Sequence, residues 1–228
     1  MNRSHRFLLP LIFALLPLAV SAEPPGRSAF ARGRKALEAG DADAARAAFQ
    51  QAWTESRGWL LPRMELAELA VKRRERIAEE RAALLDAAGS DSDVPRVHRL
   101  LAELAELQGD DAAAASSWTK AIELLPWDMD LRLRRAAVLY RLGRAAEAAA
   151  DWERVVRARP DQPQLRRLLA DALEAAGRYD EARAHLEHAI RLEPGREAAL
   201  RRLARFLERR GQMQEARAIH ARADEVAR

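Results

Sequence analysis

Along most of this chain, small and bulky apolar residues recur at fixed offsets, and a glycine punctuates each recurrence. Glycines stand at 40, 109, 143, 177 and 211; the last four are 34 residues apart, and Gly40 precedes Gly109 by 69. Starting each unit fourteen residues before its glycine gives units at 26–59, 95–128, 129–162, 163–196 and 197–228. The eighth position of each is small: Gly33, Ala102, Ala136, Ala170 and Ala204. The twentieth is alanine every time: Ala45, Ala114, Ala148, Ala182 and Ala216. The twenty-seventh is Ala52, Ala121, Val155, Ala189 or Ala223, and the twenty-fourth is bulky (Phe49, Trp118, Trp152, Leu186) except at His220. Pro126, Pro160 and Pro194 fill the thirty-second position of three units.

Each choice has a physical reason. Glycine ends a first helix in the left-handed region without a Cβ penalty. Facing alanines let two helices approach closely, and the bulky residue fills the space beside them. Proline stops the second helix by removing an amide and disfavouring helical geometry before it. The pattern predicts a helix–turn–helix hairpin repeated down the chain, in which each unit buries its apolar face by stacking on its neighbours. No sustained β-branched alternation occurs, so almost no sheet is expected.

Residues 60–94 break the rhythm. Leu66, Ala67, Leu69 and Ala70, then Ala82, Ala83, Leu84, Leu85 and Ala87, still form two helical stripes. Gly89-Ser90-Asp91-Ser92-Asp93 reads as an exposed loop before Pro95. The stretch reads as a divergent unit with a shifted turn, the weakest joint of the array; one longer helix is the competing description.

The pattern resembles the tetratricopeptide repeat family in unit length and in its small, bulky and proline positions. The fullest match runs Leu169-Ala170, Leu173, Gly177-Arg178-Tyr179, Ala182, Leu186, Ala189 and Pro194. The resemblance covers nearly all of residues 26–228. It departs from the family in lacking the early Trp in every unit, and in having Arg57 and Arg228 where proline is usual. It implies an all-α, right-handed solenoid of stacked hairpins.

Composition changes the picture little. The chain is rich in helix formers, with 49% apolar residues and only 5% aromatics. The start matters more. Arg3 and Arg6 precede an apolar run from Phe7 to Val20, followed by Val20-Ser21-Ala22 before Glu23, which reads as a cleavable signal peptide over residues 1–22. The run is short for a membrane span and carries Pro10 and Pro17. No other stretch is apolar enough to cross a bilayer, so no stable span is expected after cleavage, and the periplasm is the expected location. The absence of cysteine excludes disulfides and a lipid-modified cysteine at the cleavage point. Without Arg3 and Arg6 the 39 basic residues fall to 37 against 35 acidic ones, too balanced to point to nucleic acid.

Reactive constellations are scarce. No Gly-rich phosphate loop, Cys-based metal site or Gly-x-Ser-x-Gly elbow occurs. His185 and His188 share a predicted helix face but lack a spaced ligand set, and Leu186 between them is a packing residue. Lys72-Arg73-Arg74-Glu75-Arg76 with Glu79, Glu80 and Arg81 mixes charges at helical spacing and reads as a solvated face. Trp118 and Trp152 read as core, whereas Trp53, Trp59 and Trp127 are less constrained. No catalytic, cofactor or metal residue is predicted.

The resemblance places a partner-binding surface on the first helix of each pair. Carried over, its fifth position gives Phe30, Arg99, Leu133, Arg167 and Arg201, its ninth includes Glu103, Asp171 and Arg205, and its twelfth gives Tyr140. Arg99, Leu133, Tyr140, Arg167, Arg201 and Arg205 then form a candidate groove for an extended or helical peptide bearing carboxylates. The competing description is a solvated face in which these arginines pair with Glu103, Asp171 and Glu174. The Lys/Asn clamp that grips chaperone C-termini is absent. The expected function is a non-catalytic scaffold binding a protein partner in a bacterial envelope assembly: secretion, pilus, polysaccharide export or cytochrome maturation. Alternatives are a small-molecule-binding protein or enzyme accessory subunit, and self-association through exposed ends into a homo-oligomer.

Overall fold

The computed structural model describes residues 24–89 and 92–228. The leader expected at residues 1–22 lies outside these residues, as do Ser90 and Asp91 of the predicted loop. The described chain forms twelve helices and no strand. They pair as α1 (Arg27–Glu38) with α2 (Ala42–Glu55), α3 (Leu60–Arg73) with α4 (Ile77–Ala88), and α5 (Pro95–Gln108) with α6 (Asp111–Leu124). The series continues with α7 (Met129–Arg141) and α8 (Ala145–Ala158), α9 (Pro163–Ala175) and α10 (Tyr179–Leu192), and α11 (Glu197–Arg209) and α12 (Met213–Val226). Each helix packs on the next, giving an all-α solenoid of six hairpins. Among the described residues no helix is long and apolar enough to cross a membrane.

The turn within each regular hairpin is the same object. Gly143 has φ +74°, its amide donates to the Tyr140 carbonyl at 3.0 Å, and the Arg144 amide donates to the Leu139 carbonyl at 2.9 Å. This is a Schellman closure, which satisfies carbonyls left over at a helix end. The same pair of bonds recurs around Gly40, Gly109, Gly177 and Gly211. The second helices begin on caps where the sequence supplies them: the carboxylates of Asp41 and Asp110 accept from the amides of Ala44 and Ala113.

Residues 60–88 form a hairpin too, and its turn lacks glycine. Arg74 stands 34 residues after Gly40 and takes the left-handed conformation itself, with φ +55°. The Glu75 amide closes the turn on the Ala70 carbonyl at 3.3 Å, and Arg76 is left-handed as well, with φ +54°. The mixed charges here pair locally, Lys72 with Glu68 at 3.2 Å and Arg46 of α2 with Glu75 at 3.2 Å.

The repeat positions build the core. All the eighth-, twentieth- and twenty-seventh-position residues are buried, along with Phe49, Trp118, Trp152 and Leu186. His220, the exception, is half-buried and contacts Glu208 at 3.1 Å. The core falls into three clusters. The first joins Ala45 and Phe49 of α2 to Leu66 and Leu69 of α3. The second joins Met64, Ala67 and Ala70 of α3 to Leu84 of α4 and to Val97, Leu100, Leu101 and Leu104 of α5. The third runs from Ala102 to Ala223. Trp59 lies against Phe30, ring centroids 4.9 Å apart, and Arg63 lies over the Trp53 ring. Trp127 is 71% exposed.

Candidate binding groove

The first helices of consecutive hairpins line two hollows that share Arg134. One, of about 520 Å³, lies among Val71, Arg74, Glu103, Glu106, Leu107, Arg134 and Arg141. The other, of about 550 Å³, is bounded by Asp130, Leu133, Arg134, Ala137 and Leu168, with Trp152 of α8 beneath. Together they form a groove across α3, α5, α7 and α9. Helix spacing puts Leu133 and Ala137 one above the other on α7, so both reach the same hollow.

The walls differ in chemistry along the groove. Leu133, Ala137 and Leu168 make an apolar middle. Tyr140 borders it, 40% exposed and tilted on Trp152 with ring centroids 5.8 Å apart. On the α5 side, Arg141 holds Asp111 through Nε at 3.0 Å and also reaches Glu106 at 3.1 Å. Glu103 forms no salt bridge among the described residues. Burial, opposed by the charges of Arg99 and Arg134, pushes its carboxyl above the usual value. On the α11 side, Arg202 pairs with Asp171, and Arg209 grips Glu174 through two bonds of 2.8 Å. Burial and the neighbouring charges of Arg167, Arg209 and Arg205 pull Arg202 below the ordinary guanidinium value.

The six groove residues predicted from sequence do not share one condition. Leu133 lines the apolar hollow and Tyr140 borders it. Arg167 is committed internally, to Glu193 at 3.0 Å and Gln164 at 3.3 Å. Arg201 is committed to Glu197 and to Asp224 at 3.0 Å. Arg99 and Arg205 are exposed and make no salt bridge or hydrogen bond among the described residues. The counter-ions also differ from the sequence expectation: Asp171 and Glu174 serve Arg202 and Arg209. Sequence reasoning passed over Arg134, Leu168 and Arg202, all at the sixth position of their units. The signal was the doublet Leu168-Leu169, of which the repeat's packing pattern accounts for one: Leu169 is buried and Leu168 is 37% exposed.

Tetratricopeptide repeat family models match residues 133–196 and 173–228. No curated protein sequence matches. Among solved structures, MamA superposes with a TM-score of 0.67 at 18% identity, over 75% of this chain and 92% of that one. YrrB, described as a tetratricopeptide repeat protein with an unusual peptide-binding site, superposes with a TM-score of 0.67 at 18% identity, over 78% and 91%. A tetratricopeptide repeat protein from Parabacteroides merdae ATCC 43184 does so with a TM-score of 0.67 at 15% identity, over 86% and 77%. These likenesses concern the fold, and the family matches concern the regular hairpins that carry the 34-residue signature. The family models identify the hairpins of residues 133–228 as tetratricopeptide repeats, and the solved structures show the same solenoid fold over most of the chain.

Proposed function

We propose that this chain is an exported, periplasmic scaffold that holds a segment of a partner protein in the groove across α5, α7 and α9, as part of an envelope assembly. The observation that carries this reading is the apolar middle formed by Leu133, Ala137 and Leu168, flanked by Arg134, an exposed arginine with no salt bridge or hydrogen bond among the described residues. Apolar anchors bordered by charge suit a peptide that seats one bulky side chain and presents a carboxylate to a guanidinium. The peptide-binding site named for YrrB, a structure of similar fold, supports the same use of the solenoid. The leader-like residues 1–22 support export. The scaffold acts by holding rather than by reacting.

The test is site-specific photocrosslinking from positions 137 and 168 in cells, with position 184, exposed on α10, as the control. The expected result is one envelope protein crosslinked at 137 and 168 through a single short segment, and lost with Leu133→Glu. Equal crosslinking at position 184 would overturn the groove. Recovery from the osmotic-shock fraction of a chain beginning at Glu23 supports export; a full-length chain in the cytosolic fraction refutes it.

A further inference from the structure

The hairpins α7/α8, α9/α10 and α11/α12 carry three different answers at one pair of repeat positions, the fourth and the twenty-third. In the first of them Arg132, 7% exposed, donates to Asp151 at 3.4 Å and to the Pro126 carbonyl at 3.1 Å. Asp151 is also held by Arg135. In the last, both positions are apolar, Leu200 and Ile219. In the middle hairpin the cation is kept and the acid is not. Arg166, 8% exposed, has the same anchor one repeat on, donating through Nε to the Pro160 carbonyl at 3.0 Å. The residue 34 after Asp151, however, is His185, and the residue 34 after Arg135 is Leu169.

Arg166 is thus a largely buried side chain whose Nη groups, open to the crevice, have no carboxylate or hydrogen-bond partner among the described residues. It lines a crevice of about 420 Å³ with His185, Arg157, Glu153, Val156, Pro160 and Leu169. The surrounding acids do not supply the missing charge. Glu153 is bonded to Arg178 at 2.8 Å, and Asp161 acts on Arg166 through space without forming a salt bridge. Arg191 adds to the basic side of the site, while burial first and then the charges of Arg166 and Arg191 hold the His188 imidazole below its usual pKa. The Nδ1 of His185 is buried without a hydrogen-bond partner. Burial first, then the Arg166 charge, holds this imidazole below its usual pKa, so it stays neutral beside the cation at neutral pH. An uncompensated buried charge is costly, and the two flanking hairpins each avoid that cost by a different route.

We propose that the crevice at Arg166 and His185 is a binding site for a carboxylate carried on a short apolar stem. The carboxylate takes the place that Asp151 occupies one repeat earlier and pairs with the Nη groups of Arg166; the stem lies on Val156, Leu169 and Pro160. This site is separate from the groove, being formed by α8, α10 and the linker between α8 and α9 together with the buried side of α9, and it does not depend on the proposed groove function.

The experiment is titration of the full chain with hexanoate, acetyl-Ala-Glu-Ala-amide, hexylamine and inorganic phosphate, followed by calorimetry and by the ring resonances of His185 and His188. Both carboxylates are expected to bind and shift His185, and hexylamine is not. Tighter binding of hexanoate assigns the site to a free acid; tighter binding of the peptide assigns it to an acidic side chain of a partner. His185→Asp rebuilds the internal pair and is expected to raise thermal stability while weakening both carboxylates by roughly tenfold or more. Arg166→Met is expected to abolish binding. Binding of phosphate alone, no binding at all, or undiminished affinity in a folded His185→Asp chain overturns the proposal.

Discussion

Arg135 holds Asp151 in a two-pronged grip, Nε to Oδ2 at 2.7 Å and Nη2 to Oδ1 at 2.8 Å, while Arg132 approaches the same carboxylate from the buried side. One acid therefore serves two cations where α7 meets α8. Removing it as Asp151→Ala strands Arg132 in the core and is expected to cost roughly 3–5 kcal/mol in urea denaturation. The double change Arg132→Leu with Asp151→Ile copies the apolar solution of Leu200 and Ile219, and is expected to recover most of the loss. Equal losses from the single and double changes would show that the pair does not act as a unit.

Arg74 performs a glycine's task at the α3–α4 turn. An L-residue in the left-handed region costs roughly 1–2 kcal/mol, and glycine gives back part of that through the greater freedom of the unfolded chain. Arg74→Gly is therefore expected to stabilise the protein by about 0.5–1 kcal/mol. Gly177→Ala, at φ +78° in a regular turn, is expected to destabilise by a similar amount. Denaturation midpoints for the two variants should move in opposite directions.

Gly33 is the smallest of the eighth-position residues because Phe49 faces it. A Cβ at Gly33 would lie 2.5 Å from the Phe49 ring. Gly33→Ala is expected to destabilise by roughly 1–3 kcal/mol through overpacking. Phe49→Leu in the same chain copies the Ala170 and Leu186 pairing of α9 and α10 and is expected to relieve much of the clash. A double-mutant cycle measures this coupling directly.

Glu103 makes stability depend on pH. Its carboxyl titrates above the usual 4.5 in the folded chain, chiefly because it is buried. The folded state holds this proton to a higher pH than the unfolded state, so stability falls as pH rises from about 4.5 through the folded-state value, then levels off. Below 4.5 both states are protonated and nothing is lost. Glu103→Gln is thus expected to raise the melting temperature at pH 7 and leave it nearly unchanged at pH 4.

How much of this was legible in the residues follows from what each position answers to. Gly109, Ala114, Trp118 and Ala121 are set by packing inside one hairpin, so periodicity exposed them. Some ion pairs answer to geometry between hairpins: Arg202 finds Asp171, and Arg183 finds Glu215, both across the boundary between α9/α10 and α11/α12. Spacing along one helix shows Arg201 with Glu197 but neither these pairings nor those of Arg167 with Glu193 and Arg201 with Asp224, which join the two helices of one hairpin. The turn at Arg74 was hidden for another reason. A left-handed arginine carries no residue-type signature, and only its place 34 residues after Gly40 gives it away. The replacement of Asp151 by His185 was visible in the letters, but its meaning required knowing that Arg132 and Arg166 point at those positions.

The division of the core into three clusters bears on how the molecule yields under load. Ownership of the core changes on α3 and again on α5, where residues of one helix serve different clusters on either side. In a stack held only by nearest neighbours, such seams set the order of rupture. Pulled from its ends, the chain should unzip in steps, α1 and α2 peeling away first and α5–α12 persisting longest as one cooperative body. A partner seated across α5, α7 and α9 would therefore keep its mount while the N-terminal hairpins come undone.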